Sequence, residues 1–198
     1  MVLKEKIWMA LLVVAVLLTI AAKVMPYFPG DVAVTRFAQG ITPASTGWAQ
    51  RLSSTAEFPW SLILVSIAVV VSWRVFGWRA ALLALTCFAG MWIIGKILGP
   101  IIARPRPSPD LVHVAKKFSG YSFPSIFALA YASTVGYLGV LFTVRSKGPW
   151  RIIVPILCCI LLLLGGAARL SLGAHWPSDV ILSYLIGLLW AGLLVRFV

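Results

Sequence analysis

Acidic residues are scarce in this chain. Five Asp and Glu stand against 17 Lys and Arg, and charged residues of both signs fill only 11% of the 198 positions. A soluble domain carries roughly twice that charged share, so a water-exposed globular fold is excluded. Cysteine is equally sparse: Cys87, Cys158 and Cys159 all fall inside apolar runs. The adjacent pair is poorly placed to bridge each other, and the spacing offers neither a disulfide framework nor a zinc site. No internal repeat and no linker interrupts the sequence, which therefore forms one domain over 1–198. What the chain has in excess is apolar surface, 61% of residues, with a mean hydropathy of +1.00. It reads as an integral membrane protein. The formal charge of +12 sits mostly between apolar runs. That distribution disfavours nucleic acid and points to a bilayer with anionic headgroups, or to a phosphorylated substrate.

Taken in order, a basic start (Lys4, Lys6) precedes an apolar run from Ile7 to about Met25. The run is long for a signal peptide and ends on a weak cleavage site, so it is expected as a retained first span. Residues 26–56 carry Pro26, Pro29, Gly30 and Pro43 as breakers. They form an external loop with short interfacial helices, one of them anchored by Trp48. Further spans are expected over 58–76, 80–102, 123–144, 152–168 and 180–197, each near the ~20 residues a bilayer needs. The sequence thus predicts an all-α bundle of six transmembrane helices. Six spans put both termini on one side. Basic residues divide evenly between the two sides, eight against eight, but those on the terminal side lie in very short loops, where the positive-inside rule applies best. The termini are therefore placed in the cytoplasm and the opposite face outward, in a bacterial inner or plasma membrane.

Polar residues of chemical interest gather on that outer face. His175 and Asp179 are four apart, with Pro177 at an expected first helical position. This spacing suggests that the carboxylate holds one imidazole nitrogen and leaves the other as a base, ligand or nucleophile. The alternative is a plain helix cap at Ser178 or Asp179 with a surface Arg169. Lys96 lies within a span, where an unpaired ammonium is expensive, which makes a functional reason the default; the alternative is snorkelling to the interface. Lys96, Arg104 and Arg169 are expected to converge near His175 as an oxyanion or phosphate site.

Lys96-Ile-Leu-Gly-Pro-Ile-Ile-Ala-Arg104-Pro105, Phe123-Pro-Ser-Ile-Phe127 and the Arg169, His175, Asp179 series together resemble the three signature motifs of the type 2 phosphatidic acid phosphatase superfamily. The resemblance covers roughly residues 80–198. It implies a six-helix membrane lipid phosphatase without a cofactor or metal. In that scheme His175 takes the phosphoryl group as a phosphohistidine and Asp179 orients it. Lys96, Arg104 and Arg169 bind phosphate oxygens, and Ser125 adds a donor. The substrate class implied is a lipid phosphate or pyrophosphate: phosphatidylglycerol phosphate, phosphatidic acid or a polyprenyl pyrophosphate.

The chain departs from the family pattern in three places. Ala168 replaces the usual Ser of the third motif. Seven residues separate Lys96 from Arg104, where the family has six. Ile126 and Phe127 replace a Gly and a His, and that His is the family's acid for the leaving group. His113, the other histidine, is the remaining candidate for the acid. Loss of a general acid costs ~10²–10⁴ in rate, less for a pyrophosphate, whose leaving group is weakly basic. The sequence therefore admits a weak or pyrophosphate-biased phosphatase, a phospholipid-binding protein without catalysis, or an inactivated variant. A small transporter would explain the spans but not the converging cations.

Overall fold

The computed structural model describes residues 2–198, with side chains from Glu5 onward; Lys4 lies outside the described side chains. The described chain is all helical. In order, α1 is Val2–Val24, α2 Asp31–Ile41, α3 Gly47–Ser54, α4 Trp60–Phe76, α5 Trp78–Ile102, α6 Ile126–Tyr131, α7 Tyr137–Arg145, α8 Trp150–Ser171 and α9 Pro177–Leu194. A π-helical turn, Ala132–Gly136, joins α6 to α7 into one rod, and a 3₁₀ turn, Val195–Phe197, ends the chain.

Five rods among the described residues are long and apolar enough to cross a membrane: α1, α5, the α6–α7 rod, α8 and α9. The expected span over 58–76 is the shorter α4, an apolar helix of 17 residues. At 1.5 Å per residue it reaches about 25 Å, a little under the hydrocarbon thickness of ~30 Å. Of the six spans expected, five are present as rods of membrane-crossing length among the described residues, and the sixth is this shorter apolar helix.

Bilayer lipid is as apolar as leucine, so helix association here depends on close packing rather than on escape from water. The buried positions of α5 follow from this. Ala80, Ala84, Cys87, Met91, Gly95, Gly99 and Ile102 recur every three or four residues as a narrow, mostly small-residue stripe. Large side chains such as Leu82, Leu85, Ile93, Ile97 and Ile101 point away from the bundle. The α6–α7 rod is the most buried of the five and forms the centre, with α5, α8 and α9 against it.

The two termini meet at one end of the bundle, where Arg196 lies over the Trp8 ring and Arg145 donates to the Val198 carbonyl. The far end of α1, the α2–α3 segment, the 103–125 loop, the end of α8 and the start of α9 gather at the other. Both short helices expected in 26–56 are present. Trp48 is only half exposed, packing on the Ala49, Ala168, Leu172 and Ala174 cluster at the end of α8 rather than serving as a free interfacial anchor.

Candidate active site

The site is assembled by the turn between α8 and α9. Leu172 to Trp176 must reverse the chain within a few residues, and Gly173 makes this possible. Its φ is +61°, and a Cβ there would fall 2.1 Å from the His113 carbonyl oxygen. The turn is pinned to the 103–125 loop, where Ala115 N–H donates to Leu172 O at 3.1 Å. Helix α9 then starts at Pro177 with Trp176 as its cap, and the Asp179 carboxylate accepts from the Trp176 N–H at 3.0 Å.

His175 therefore precedes the helix. Helical i,i+4 geometry does not apply between it and Asp179, and the expected His–Asp hydrogen bond is absent. The Nδ1 of His175 instead lies 2.5 Å from the carbonyl oxygen of Ser122. A carbonyl can only accept, so Nδ1 carries the proton and Nε2 keeps its lone pair. Asp179 acts one step removed: Ser122 Oγ donates to it at 2.5 Å, and Arg104 Nη1 donates to its other oxygen.

Arg104 does not face the reaction cavity either. It is 1% exposed and buried between two carboxylates, Asp179 and Asp31, the latter at 3.3 Å. Its remaining donors go to Met25 O at 3.1 Å and Ser178 Oγ at 2.9 Å, and its guanidinium covers the Phe28 ring. Four of its five N–H donors are engaged and two carboxylates offset its charge, which leaves little for a phosphate. Lys96 also falls away. It follows Gly95, which lies on the buried stripe, so a turn of about 100° carries Lys96 off that face. The side chain is exposed, with Nζ 5.6 Å from the centre of the Trp92 ring.

The residue that takes their place is Arg106. Its Nη1 lies 3.4 Å from His175 Nε2 and 2.6 Å from Ala174 O, and Ser119 O accepts from its Nε and Nη2. Arg106-Pro107 repeats the Arg104-Pro105 pair two residues on, and this duplication was the signal available in the sequence. Counting back by the family spacing of six from Arg106 reaches Gly99 rather than Lys96.

Arg169 is expected at the site and is found there. It is 6% exposed, donates from Nη1 to Ser53 Oγ, and has no partner for Nε. Arg106, Arg169 and His175 line one cavity of about 110 Å³ together with Ser53, Ala56, Glu57, Pro124, Ile126 and Phe127. This is several times the ~10–15 Å³ that one water needs. Among the described residues the only ion pairs belong to Arg104; Arg106 and Arg169 line the cavity without an ion-pair partner, and Glu57 is the one carboxyl on the same wall. Burial, followed by the charges of Arg169 and Arg106, holds the His175 imidazole well below its ordinary pKa of 6.5, with the Ser122 carbonyl opposing. Burial also lowers the Arg106 guanidinium from its ordinary value, and Asp179 opposes.

Ser125 caps α6. Its hydroxyl accepts from Ala128 N–H at 3.3 Å and its own N–H donates to Ser183 Oγ at 3.0 Å, so its backbone donor is used within the protein. Phe127 does line the cavity. Its ring stacks on Tyr131 with centroids 4.3 Å apart and lies 5.6 Å from the Arg169 Cζ. Gly165 of α8 makes room for that ring, since a Cβ there would come within 2.7 Å of it. His113 lines a separate cavity of about 250 Å³ with Gln39, Thr42, Thr46 and Ser171.

A polytopic helical bundle of this kind, with a buried histidine and two arginines lining one cavity at one end, is an integral membrane protein. Residues 79–198 match the PAP2 superfamily, and the chain belongs to that family. It is 28% identical over 154 residues to a lipid A 4'-phosphatase of Bacteroides thetaiotaomicron, a match covering 71% of this chain and 65% of that protein, just under two thirds of its length. The fold is that of a crystal structure described as the first transmembrane PAP2 type phosphatidylglycerolphosphate phosphatase from Bacillus subtilis. The TM-score is 0.74 at 23% identity, over 93% of this chain and 94% of that one.

Proposed function

We propose that the protein hydrolyses a phosphate or pyrophosphate from a membrane lipid, with His175 Nε2 as the nucleophile. The observation that carries this reading is the fixed tautomer of His175 beside two arginines that form no direct ion pair among the described residues. A neutral imidazole whose Nε2 lone pair is held only by a long 3.4 Å contact from Arg106 Nη1, on a cationic cavity, can serve as a nucleophile for phosphorus once a phosphate draws that arginine away. Arg106 and Arg169 neutralise the phosphate oxygens and the charge of the transition state, with electrostatics set before the substrate arrives. Asp179, Arg104 and Asp31 then serve to hold Ser122, and through it His175, rather than to touch the substrate.

A lipid substrate is supported by a second, apolar cavity of about 550 Å³ bounded by α4, α5 and α6. It shares Ala56 and Ile126 with the polar cavity, so a phosphate beside His175 can continue into a hydrocarbon tail. In the topology adopted here the site faces outward and the termini lie in the cytoplasm. The buried Phe127 ring supports a bias toward pyrophosphates, because no imidazole stands there to protonate an alkoxide. The test is phosphate release from phosphatidic acid and from a polyprenyl pyrophosphate in detergent, parent against His175→Ala. Release that survives His175→Ala sinks the reading.

A further inference from the structure

With Phe127 at the family's acid position and His113 in another cavity, the source of the leaving-group proton has to be sought among the other cavity walls. Ser53 is far too weak an acid, and its oxygen already accepts from Arg169. The two arginines do not give up protons. Among the described residues one carboxyl lines the cavity, that of Glu57. It sits in the turn between α3 and α4, and its backbone is held on both sides: its N–H donates to Ser54 O and its carbonyl accepts from Ser61 N–H, each at 2.9 Å.

Depth within the cavity is informative. His175 and Arg169 are buried, whereas Glu57, which lines the same cavity, is exposed. In an in-line displacement the leaving oxygen points away from the attacking nitrogen. From a buried nucleophile, that direction is toward the exposed side of the cavity.

We propose that Glu57 is a catalytic residue, the proton donor to the leaving lipid oxygen. In the first half, the Nε2 lone pair of His175 forms the N–P bond while the P–O bond to the lipid breaks. The electron pair stays on the lipid oxygen, which takes the Glu57 proton. In the second half, the Glu57 carboxylate takes a proton from water as the water oxygen bonds phosphorus. The N–P bond then breaks, releasing phosphate and restoring both side chains.

This assignment rests on His175 being the nucleophile, and the experiment separates the two. Leaving-group release is measured over the first turnover, for phosphatidic acid and for p-nitrophenyl phosphate, whose phenolate leaves without needing a proton. Parent, Glu57→Gln, Glu57→Asp and His175→Ala are compared in detergent. Glu57→Gln should slow release from phosphatidic acid on the order of 10²-fold and leave the p-nitrophenol burst within a few-fold of the parent. Glu57→Asp should recover part of the loss. Equal losses on both substrates, or no loss on phosphatidic acid, overturn the role of Glu57 while His175 stands. The same holds if the parent gives a His175-dependent burst with the aryl ester alone. Release that is absent from the parent, or intact in His175→Ala, removes the nucleophile and the Glu57 proposal with it.

Discussion

His175 and Ser122 are joined by a hydrogen bond from an imidazole N–H to a main-chain carbonyl, 2.5 Å long. A carboxylate in that position would stabilise the imidazolium, whereas a carbonyl fixes the tautomer with far less charge. The ring is also buried and faces two guanidinium groups. Its resting form is the neutral imidazole.

This sets the pH dependence. The lowered His175 pKa keeps the free enzyme competent as pH falls through ~6.5, the ordinary value for imidazole. The acid limb of kcat/KM, which reports the free enzyme, should therefore lie well below pH 6.5. Stability has the same sign. Between the folded value and ~6.5 the unfolded chain binds the extra proton, so stability decreases as pH drops through that window. A pH–rate profile with its acid midpoint at or above 6.5 would contradict the buried, neutral imidazole.

Arg104 and Lys96 should behave in opposite ways. Arg104→Ala leaves Asp31 and Asp179 buried without their counter-charge, a loss of about 3–5 kcal/mol by analogy with other broken buried pairs. Lys96→Ala removes only an exposed amine above Trp92. Thermal unfolding in detergent should show a much lower midpoint for Arg104→Ala and an unchanged midpoint and rate for Lys96→Ala. Lost activity in a stable Lys96→Ala would return that lysine to the site.

Arg106→Ala and Arg169→Ala should each weaken phosphate or vanadate binding by about 1.5–3 kcal/mol, the range for charge-assisted hydrogen bonds. Inhibition constants for orthovanadate, measured on folded variants, provide the check. Unaltered inhibition in Arg106→Ala would mean that the anion sits elsewhere.

Phe127 can be tested by restoring the family pattern. Ile126→Gly with Phe127→His, in a Glu57→Gln background, should raise phosphatidic acid hydrolysis by roughly 10²–10⁴-fold, the weight of a general acid. The new ring inherits the space left by Gly165. Pyrophosphate hydrolysis should gain much less. Equal gains on both substrates would show that the imidazole is not protonating the leaving group.

Topology is checked by cysteines introduced at Asp110 and Lys147, exposed residues at opposite ends of the bundle. In intact cells an impermeant thiol reagent should label position 110 and not 147. Labelling of both from outside would break the outward-site orientation.

Much of this protein is written in one dimension. Low charge and long apolar runs dictate a membrane bundle, because backbone amides inside a bilayer must be satisfied within helices. The positions of Pro, Gly and basic residues place the turns. Arg169 and His175 are legible because a cation and an imidazole at the ends of apolar segments have few structural uses. Arg106 was equally visible as a second Arg-Pro pair, but nothing local ranks it above Arg104. That choice belongs to tertiary structure. Asp31, 73 residues before Arg104, arrives beside it through α2 and claims its guanidinium jointly with Asp179. Two residues on, Arg106 emerges beside His175 without a carboxylate. The partner of His175 was hidden for the same reason: α9 begins at Pro177, so the imidazole leaves helical register and meets a carbonyl from a different loop. Spacing along a sequence decides side-chain neighbours only inside a regular helix. Where chain segments are brought together by packing, burial and charge pairing decide which arginine is neutralised and which is left free for an anion.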